Sequence, residues 1–116
     1  MTAHANMIGR PIRDLDTPVP LVDLDKLERN IARMRQVIIA EAGIGWRPHT
    51  KAIKTPAIVH KLLQAGAHGV TCAKLGEAEV MAAAGIRDIM ISNQVVGNAK
   101  ITRLVHLLRQ ADIIVA

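Results

Sequence analysis

The sequence has no phenylalanine and no tyrosine, and its one tryptophan is Trp46. A core built from it must be aliphatic, drawn from Ile, Leu, Val, Met and Ala. The same lack removes the aromatic platforms on which single-stranded nucleic acids stack. The chain is basic, with a formal net charge of +5, yet no Lys/Arg-rich run is interleaved with aromatic residues. Nucleic acid is therefore not the expected partner; a solvated basic surface with an anion site is. A single cysteine, Cys72, allows neither a disulfide framework nor a cysteine metal cluster, and a reducing, cytoplasmic setting is the default expectation. No apolar run approaches the ~20 residues of a membrane helix, so no membrane is expected. Residues 1–16 lack the apolar core of a signal peptide and read as a flexible arm. GxGxxG and the Walker-type GxxxxGK turn are both missing, which removes the usual advertisement of an open nucleotide-binding sheet.

What is present is ordinary for one core: half the residues are hydrophobic and 22% are charged. Thr17-Pro18-Val19-Pro20 reads as extended and leads into a short predicted strand over 21–24, barred by its prolines from a central place in a sheet. Asp25 starts a helix, with Glu28 at capping-box spacing. Leu27, Ile31, Met34 and Ile38 form its apolar stripe, and it ends near Ala42-Gly43. A strand over 44–49 follows. Thr55 and Pro56 open a helix as N-cap and first helical residue; Ile58, Val59, Leu62 and Leu63 are its buried side. Strands over 69–73, 88–92 and 112–116 then alternate with helices over 75–84 and 98–110. The last helix carries Ile101, Leu104, Val105 and Leu108 on one face.

A weak repeat runs through this part. Leu63-Gln64-Ala65-Gly66-Ala67-His68-Gly69-Val70 is similar to Ala82-Ala83-Ala84-Gly85-Ile86-Arg87-Asp88-Ile89. Each is a helix end, a left-handed glycine, two linking residues and a buried strand. Short links and continuous apolar strands predict a parallel α/β sheet of βα units. Polar residues collect at the C-terminal ends of the strands: Lys51, then Cys72 and Lys74, then Ser92, Asn93 and Gln94. That is where a (β/α)8 barrel keeps its site. A whole barrel takes ~250 residues, so the expectation is the N-terminal part of a longer enzyme: an arm over 1–16 and an incomplete barrel over 17–116.

The most telling stretch is Trp46-Arg47-Pro48-His49-Thr50-Lys51-Ala52-Ile53-Lys54. Alternate residues of a strand share a face, so Arg47, His49 and Lys51 are expected to point one way. Partly desolvated beside other cations, a lysine amine is pushed toward neutrality and becomes a nucleophile. His49 is a candidate cofactor contact or a structural histidine. Arg47 is a candidate phosphate contact or one half of a salt bridge, the latter favoured. Asn93 is a candidate ligand contact or a loop-turning residue. Cys72 reads as core, and Lys74, Glu77 and Glu79 as a solvated helix start. His60, His68 and His106 have no partner at metal spacing.

These residues resemble the fold-type III pyridoxal-phosphate enzymes, whose barrel is the alanine racemase N-terminal type. Within them the branch is that of D-threonine aldolase, 3-hydroxy-D-aspartate aldolase and D-serine dehydratase. The motifs are Asp16-Thr17-Pro18 before Leu21-Val22-Asp23-Leu24-Asp25, Arg47-Pro48-His49-Thr50-Lys51, Cys72-Ala73-Lys74-Leu75-Gly76-Glu77-Ala78, and Ser92-Asn93-Gln94-Val95-Val96. The branch shows a second histidine where this chain has Ile53. The resemblance implies that Lys51 holds pyridoxal 5'-phosphate as a Schiff base, with His49, Arg47 and Asn93 as cofactor-binding candidates. It implies retro-aldol cleavage of D-3-hydroxy amino acids to glycine and an aldehyde. A divalent metal bound beyond Ala116 would assist, and the enzyme would be a homodimer when full length. It also implies that the strand over 21–24 pairs with a C-terminal β-domain. A dehydratase, an amino-acid racemase and a non-catalytic pyridoxal-phosphate carrier remain as alternatives.

Overall fold

The computed structural model describes residues 7–116; His4 of the expected arm lies outside the described residues. The first long helix, α1 (Leu24–Arg35), is capped by Asp23, whose carboxylate accepts the Lys26 amide at 3.0 Å. This corrects the expected start at Asp25 and the C-terminal bound of the expected strand over 21–24, since Leu24 is helical. Two aspartates compete for one cap. Once Asp23 takes it, Leu24 is already helical, and Leu21 and Val22 are left exposed with no strand partner among the described residues. Glu28 does not close a capping box; it pairs with Lys61 at 2.6 Å. The helix runs on as a π-helical turn over Gln36–Glu41, in which the Ala42 amide reaches back five residues to the Val37 carbonyl.

The stretch over 44–49 is not a regular strand. Only His49 bridges to Thr71, because Pro48 has no N–H to give to a ladder. The run is still strapped alongside its neighbour. The His68 amide donates to Trp46 O at 3.1 Å, the Thr71 amide to Pro48 O at 2.9 Å, and the Thr50 amide to Thr71 O at 2.7 Å.

The βα units follow as expected: α2 (Pro56–Gln64), β1 (Val70–Cys72), α3 (Leu75–Ala83), β2 (Asp88–Ile91), α4 (Asn98–Leu107) and β3 (Asp112–Val115). Thr55 precedes α2 without a side-chain cap bond. The repeat is real in three dimensions. Gly66 and Gly85 both take positive φ, 106° and 85°, and the next residue's amide bonds back five residues in each case, Ala67 to Leu62 and Ile86 to Met81, at 3.1 Å. That is the left-handed ending glycine allows.

The three strands are parallel in the order β1-β2-β3. Val70, Ile89 and Ile113 lie in one row, Thr71, Met90 and Ile114 in the next, and Cys72, Ile91 and Val115 in the third. Side chains alternate between faces. Val70, Cys72, Ile89 and Ile91 are sealed in the core with Val59, Ala78 and Met81. The row of Thr71, Met90 and Ile114 faces the other way and is only partly covered. A second cluster joins Trp46 to Ile31, Leu62 and Ala67, so the only aromatic side chain ties the strapped stretch to α1 and α2.

On α4 the expected apolar face is corrected. Leu107 is buried and Leu104 partly so, while Ile101, Val105 and Leu108 are exposed. The helix turns Leu104 and Leu107 onto α3, leaving the longer stripe on its outer side. No helix is long and apolar enough to cross a membrane among the described residues.

Ile89 is fully buried and Ile114 is half exposed. Ile89→Ala should therefore lower unfolding free energy by about 2–5 kcal/mol, and Ile114→Ala by under about 1 kcal/mol, compared in urea titrations.

Candidate functional site

The alternation in the strapped stretch sorts its side chains by task. Trp46 and Thr50 are buried, while Arg47 and His49 lie on the opposite, half-buried side. Lys51 falls just past the straps, in a turn closed by the Ile53 and Lys54 amides, which both donate to Thr50 O at 3.0 and 2.8 Å. Its side chain is exposed, so the partial desolvation expected of it is not supplied by the described residues. Its amine makes no ion pair among them.

Around Lys51 the hydrogen-bond directions are mutually consistent. The Lys51 amide donates to His49 Nδ1 at 3.1 Å. That nitrogen must carry a lone pair, so the neutral ring holds its proton on Nε2. Nε2 lies 3.4 Å from Ser92 Oγ, and the Ser92 hydroxyl lies 3.4 Å from Cys72 O, where it donates. The His49 imidazole thus links the lysine turn to the end of β2. Ser92 was named in the sequence only as a polar strand end; its partnership with His49 joins positions 43 apart in the chain.

Thr50 anchors the turn from beneath. Its hydroxyl lies 3.2 Å from Thr71 O and 3.5 Å from Cys72 Sγ. Cys72 is fully buried, and burial pushes its thiol above the usual range. It is a core residue and not a nucleophile.

The other candidates are dispersed. Arg47 sits at the opposite end of the strands, where its two terminal nitrogens meet the Asp88 carboxylate at 2.6 and 2.9 Å. This is the salt-bridge alternative. The pair exists because residue 69 is glycine: a Cβ there would come within 2.5 Å of Arg47 Nη1 and of Asp88 O. Asn93 donates to Ala73 O at 3.2 Å, linking the loops that follow β1 and β2. It borders a cavity of about 280 Å³ with Lys74, Gln94, Lys100 and Arg103. Neither Lys51 nor His49 lines that cavity.

Glu77 is more than a solvated helix start. Its side chain is 11% exposed. One carboxylate oxygen accepts the Ala73 amide at 2.8 Å, and the other takes Lys54 Nζ at 2.8 Å. The Lys54 hydrogen bond, aided by the Ala73 amide and by the charges of Lys54 and Lys74, holds this carboxyl below the ordinary glutamate range against the opposing effect of burial. A Glu at the third position of a helix, reaching back to an amide before it, was the available signal. Glu79 pairs with Arg103, tying α3 to α4.

An exposed, unpaired amine at the C-terminal ends of parallel strands, with a fixed imidazole beside it, fits the aldehyde end of pyridoxal phosphate. Among the described residues no group of three or more His, Cys, Asp or Glu is gathered as a metal site. His60 and His106 are occupied by the carbonyls of Ala84 and Thr102.

Comparison with known proteins agrees with this geometry. The family model for the alanine racemase N-terminal domain matches residues 22–116. A D-threonine aldolase from Arthrobacter sp. is 44% identical over 105 residues, covering 90% of this chain and 27% of that protein. D-threo-3-hydroxyaspartate dehydratase from Delftia sp. (strain HT23) is 46% identical over 76 residues, covering 66% of this chain and 20% of that protein. The crystal structure of D-threonine aldolase from Filomicrobium marinum superposes with a TM-score of 0.84 at 43% identity, over 90% of this chain and 28% of that one. The chain thus spans about a quarter of the length of the curated relatives it matches.

Two outcomes follow from the ion pairs. Arg47→Ala should cost about 1–3 kcal/mol of stability in urea unfolding while leaving reductive labelling of Lys51 by pyridoxal phosphate in place; labelling lost at full stability would return Arg47 to the phosphate. Glu77, with its lowered folded value, stabilises fully above the unfolded value of about 4.3 and loses that contribution as pH falls through the folded one. Below pH ~4.3, Glu77→Gln should therefore show a shallower fall in melting temperature with pH than the parent.

Proposed function

The chain belongs to the alanine racemase N-terminal domain family, and on that premise we propose that it is the cofactor-lysine segment of a pyridoxal-phosphate-dependent lyase acting on D-3-hydroxy amino acids. In this reading residues 17–116 are the first part of the barrel and residues 1–16 an arm before it. The observation that carries the reading is Lys51: an exposed amine, free of ion pairs among the described residues, on a turn pinned at the C-terminal end of a parallel sheet.

Bound pyridoxal phosphate would supply an electron sink for a carbanion at the amino acid Cα. The residues here do the rest of what this segment contributes. Lys51 holds the cofactor covalently through Nζ. His49 fixes the Lys51 backbone through Nδ1 and would stand beside the bound cofactor. Asn93 spends its amide nitrogen on Ala73 O and leaves its oxygen for a ligand. Arg47 acts through Asp88, keeping the strapped stretch aligned with β2.

Retro-aldol cleavage to glycine and an aldehyde is the favoured reaction, supported by the 44% identity to the aldolase from Arthrobacter sp. over 90% of this chain. Loss of the β-hydroxyl as water is the second reading, supported by the 46% identity to the dehydratase from Delftia sp.. A divalent metal held outside these residues and assembly as a homodimer belong to the same proposal.

The test is covalent. After incubation with pyridoxal phosphate, borohydride reduction and peptide mapping should place the label on Lys51, and Lys51→Ala should lose it. Dominant label at another lysine, or undiminished label in Lys51→Ala, overturns the assignment.

A further inference from the structure

From the Lys54–Glu77 pair we infer a clamp that presents the Lys51 amine to a carbonyl-bearing ligand, making Glu77 and Lys54 positioning residues for the lysine. The inference rests on Lys51 as the cofactor lysine, and it explains a feature that assignment leaves open.

Lys54 has φ of 52°, and it is the one non-glycine residue with positive φ among those described. The left-handed region disfavours side chains with a Cβ, and a glycine would sit there without strain. Strained residues persist where the surroundings hold them, and they cluster at functional sites. Here the surroundings are identifiable. Lys54 Nζ reaches across to Glu77 Oε1 at 2.8 Å, on an element 23 residues away.

The two partners are unequal. The Lys54 side chain is 64% exposed and that of Glu77 11%. Glu77 is already held by the Ala73 amide through its other oxygen. The carboxylate is the fixed post, and the lysine is the part that ties on to it.

What is tied is the far end of the Lys51 turn. Its near end is fixed by buried Thr50, bonded to β1 through both its amide and its hydroxyl. With Lys54 docked on the start of α3, the residues between are fastened at both ends. An exposed ion pair ordinarily contributes little to stability. The geometry assigns this one to orientation, because its energy is spent on the three residues that carry the reactive amine.

The experiment compares the parent chain with Lys54→Gly, Glu77→Gln and Lys54→Arg. Each is treated with pyridoxal phosphate and borohydride, and the initial rate of label at Lys51 is referred to that at the other lysines of the same chain. Melting temperatures are measured alongside. Glycine relaxes the backbone at residue 54, so Lys54→Gly should keep or raise the melting temperature while the relative rate at Lys51 falls by about tenfold or more, as for a misplaced reactive group. Glu77→Gln keeps an oxygen for the Ala73 amide but loses the charge, and should fall likewise. Lys54→Arg, which keeps the pair, should retain the preference. An unchanged preference for Lys51 in folded Lys54→Gly, or in folded Glu77→Gln, overturns the clamp and leaves the Lys51 assignment standing. No preference for Lys51 in the parent chain overturns both.

Discussion

The backbone bonds from residues 46–50 to His68 and to Thr71 of β1 are what the rest of the site depends on. They are few: Trp46 O, Pro48 O and the Thr50 amide are the points of attachment. A stretch with a proline at its centre cannot make a full ladder, so the alignment is completed by side chains. Trp46 is sunk between α1 and α2. Thr50 is buried against β1. Arg47 is locked to Asp88 at the head of β2. Each of these would be a modest contact alone. Together they fix where the Lys51 turn begins.

Height along that stretch, and not alternation, separates its two half-buried basic residues. Arg47 and His49 share a face, but they lie at different heights along the sheet. Arg47 meets the first residue of β2 and His49 the residue just after its end. In parallel barrels the N-terminal ends of the strands serve stability and the C-terminal ends carry the chemistry. Arg47 lies at the first kind of end and His49 at the second. Gly69 is part of the same arrangement, since the space an alanine would need at that position is filled by Arg47 and Asp88.

The fold was readable where local signals agree. The βα repeats, with their glycine stops and apolar strands, lie where periodicity puts them, while the strand expected over 44–49 is reduced to a single bridge and Lys51 falls in the turn beyond it. Errors arose where two local readings compete and tertiary contacts decide. Leu21-Val22-Asp23-Leu24 has a strand's composition, but the Asp23 cap draws its last residue into α1. On α4, Leu104 belongs to two possible stripes, and packing against α3 selected the one containing Leu107. The partnerships of the site were out of reach for a plainer reason. Arg47 with Asp88, Ser92 with His49 and Lys54 with Glu77 join residues 41, 43 and 23 apart, and no sequence period reports such pairs.

The Arg47–Asp88 bond has a consequence in time. A chain leaves the ribosome from its N-terminus, and Asp88 follows Arg47 by 41 positions. At the ~5–20 residues per second of translation, roughly 2–8 s pass between the appearance of the arginine and that of its partner. During that interval the stretch leading to Lys51 is already made but lacks this anchor. The stretch that carries the Lys51 turn therefore gains this long-range anchor only after the start of the second strand has emerged.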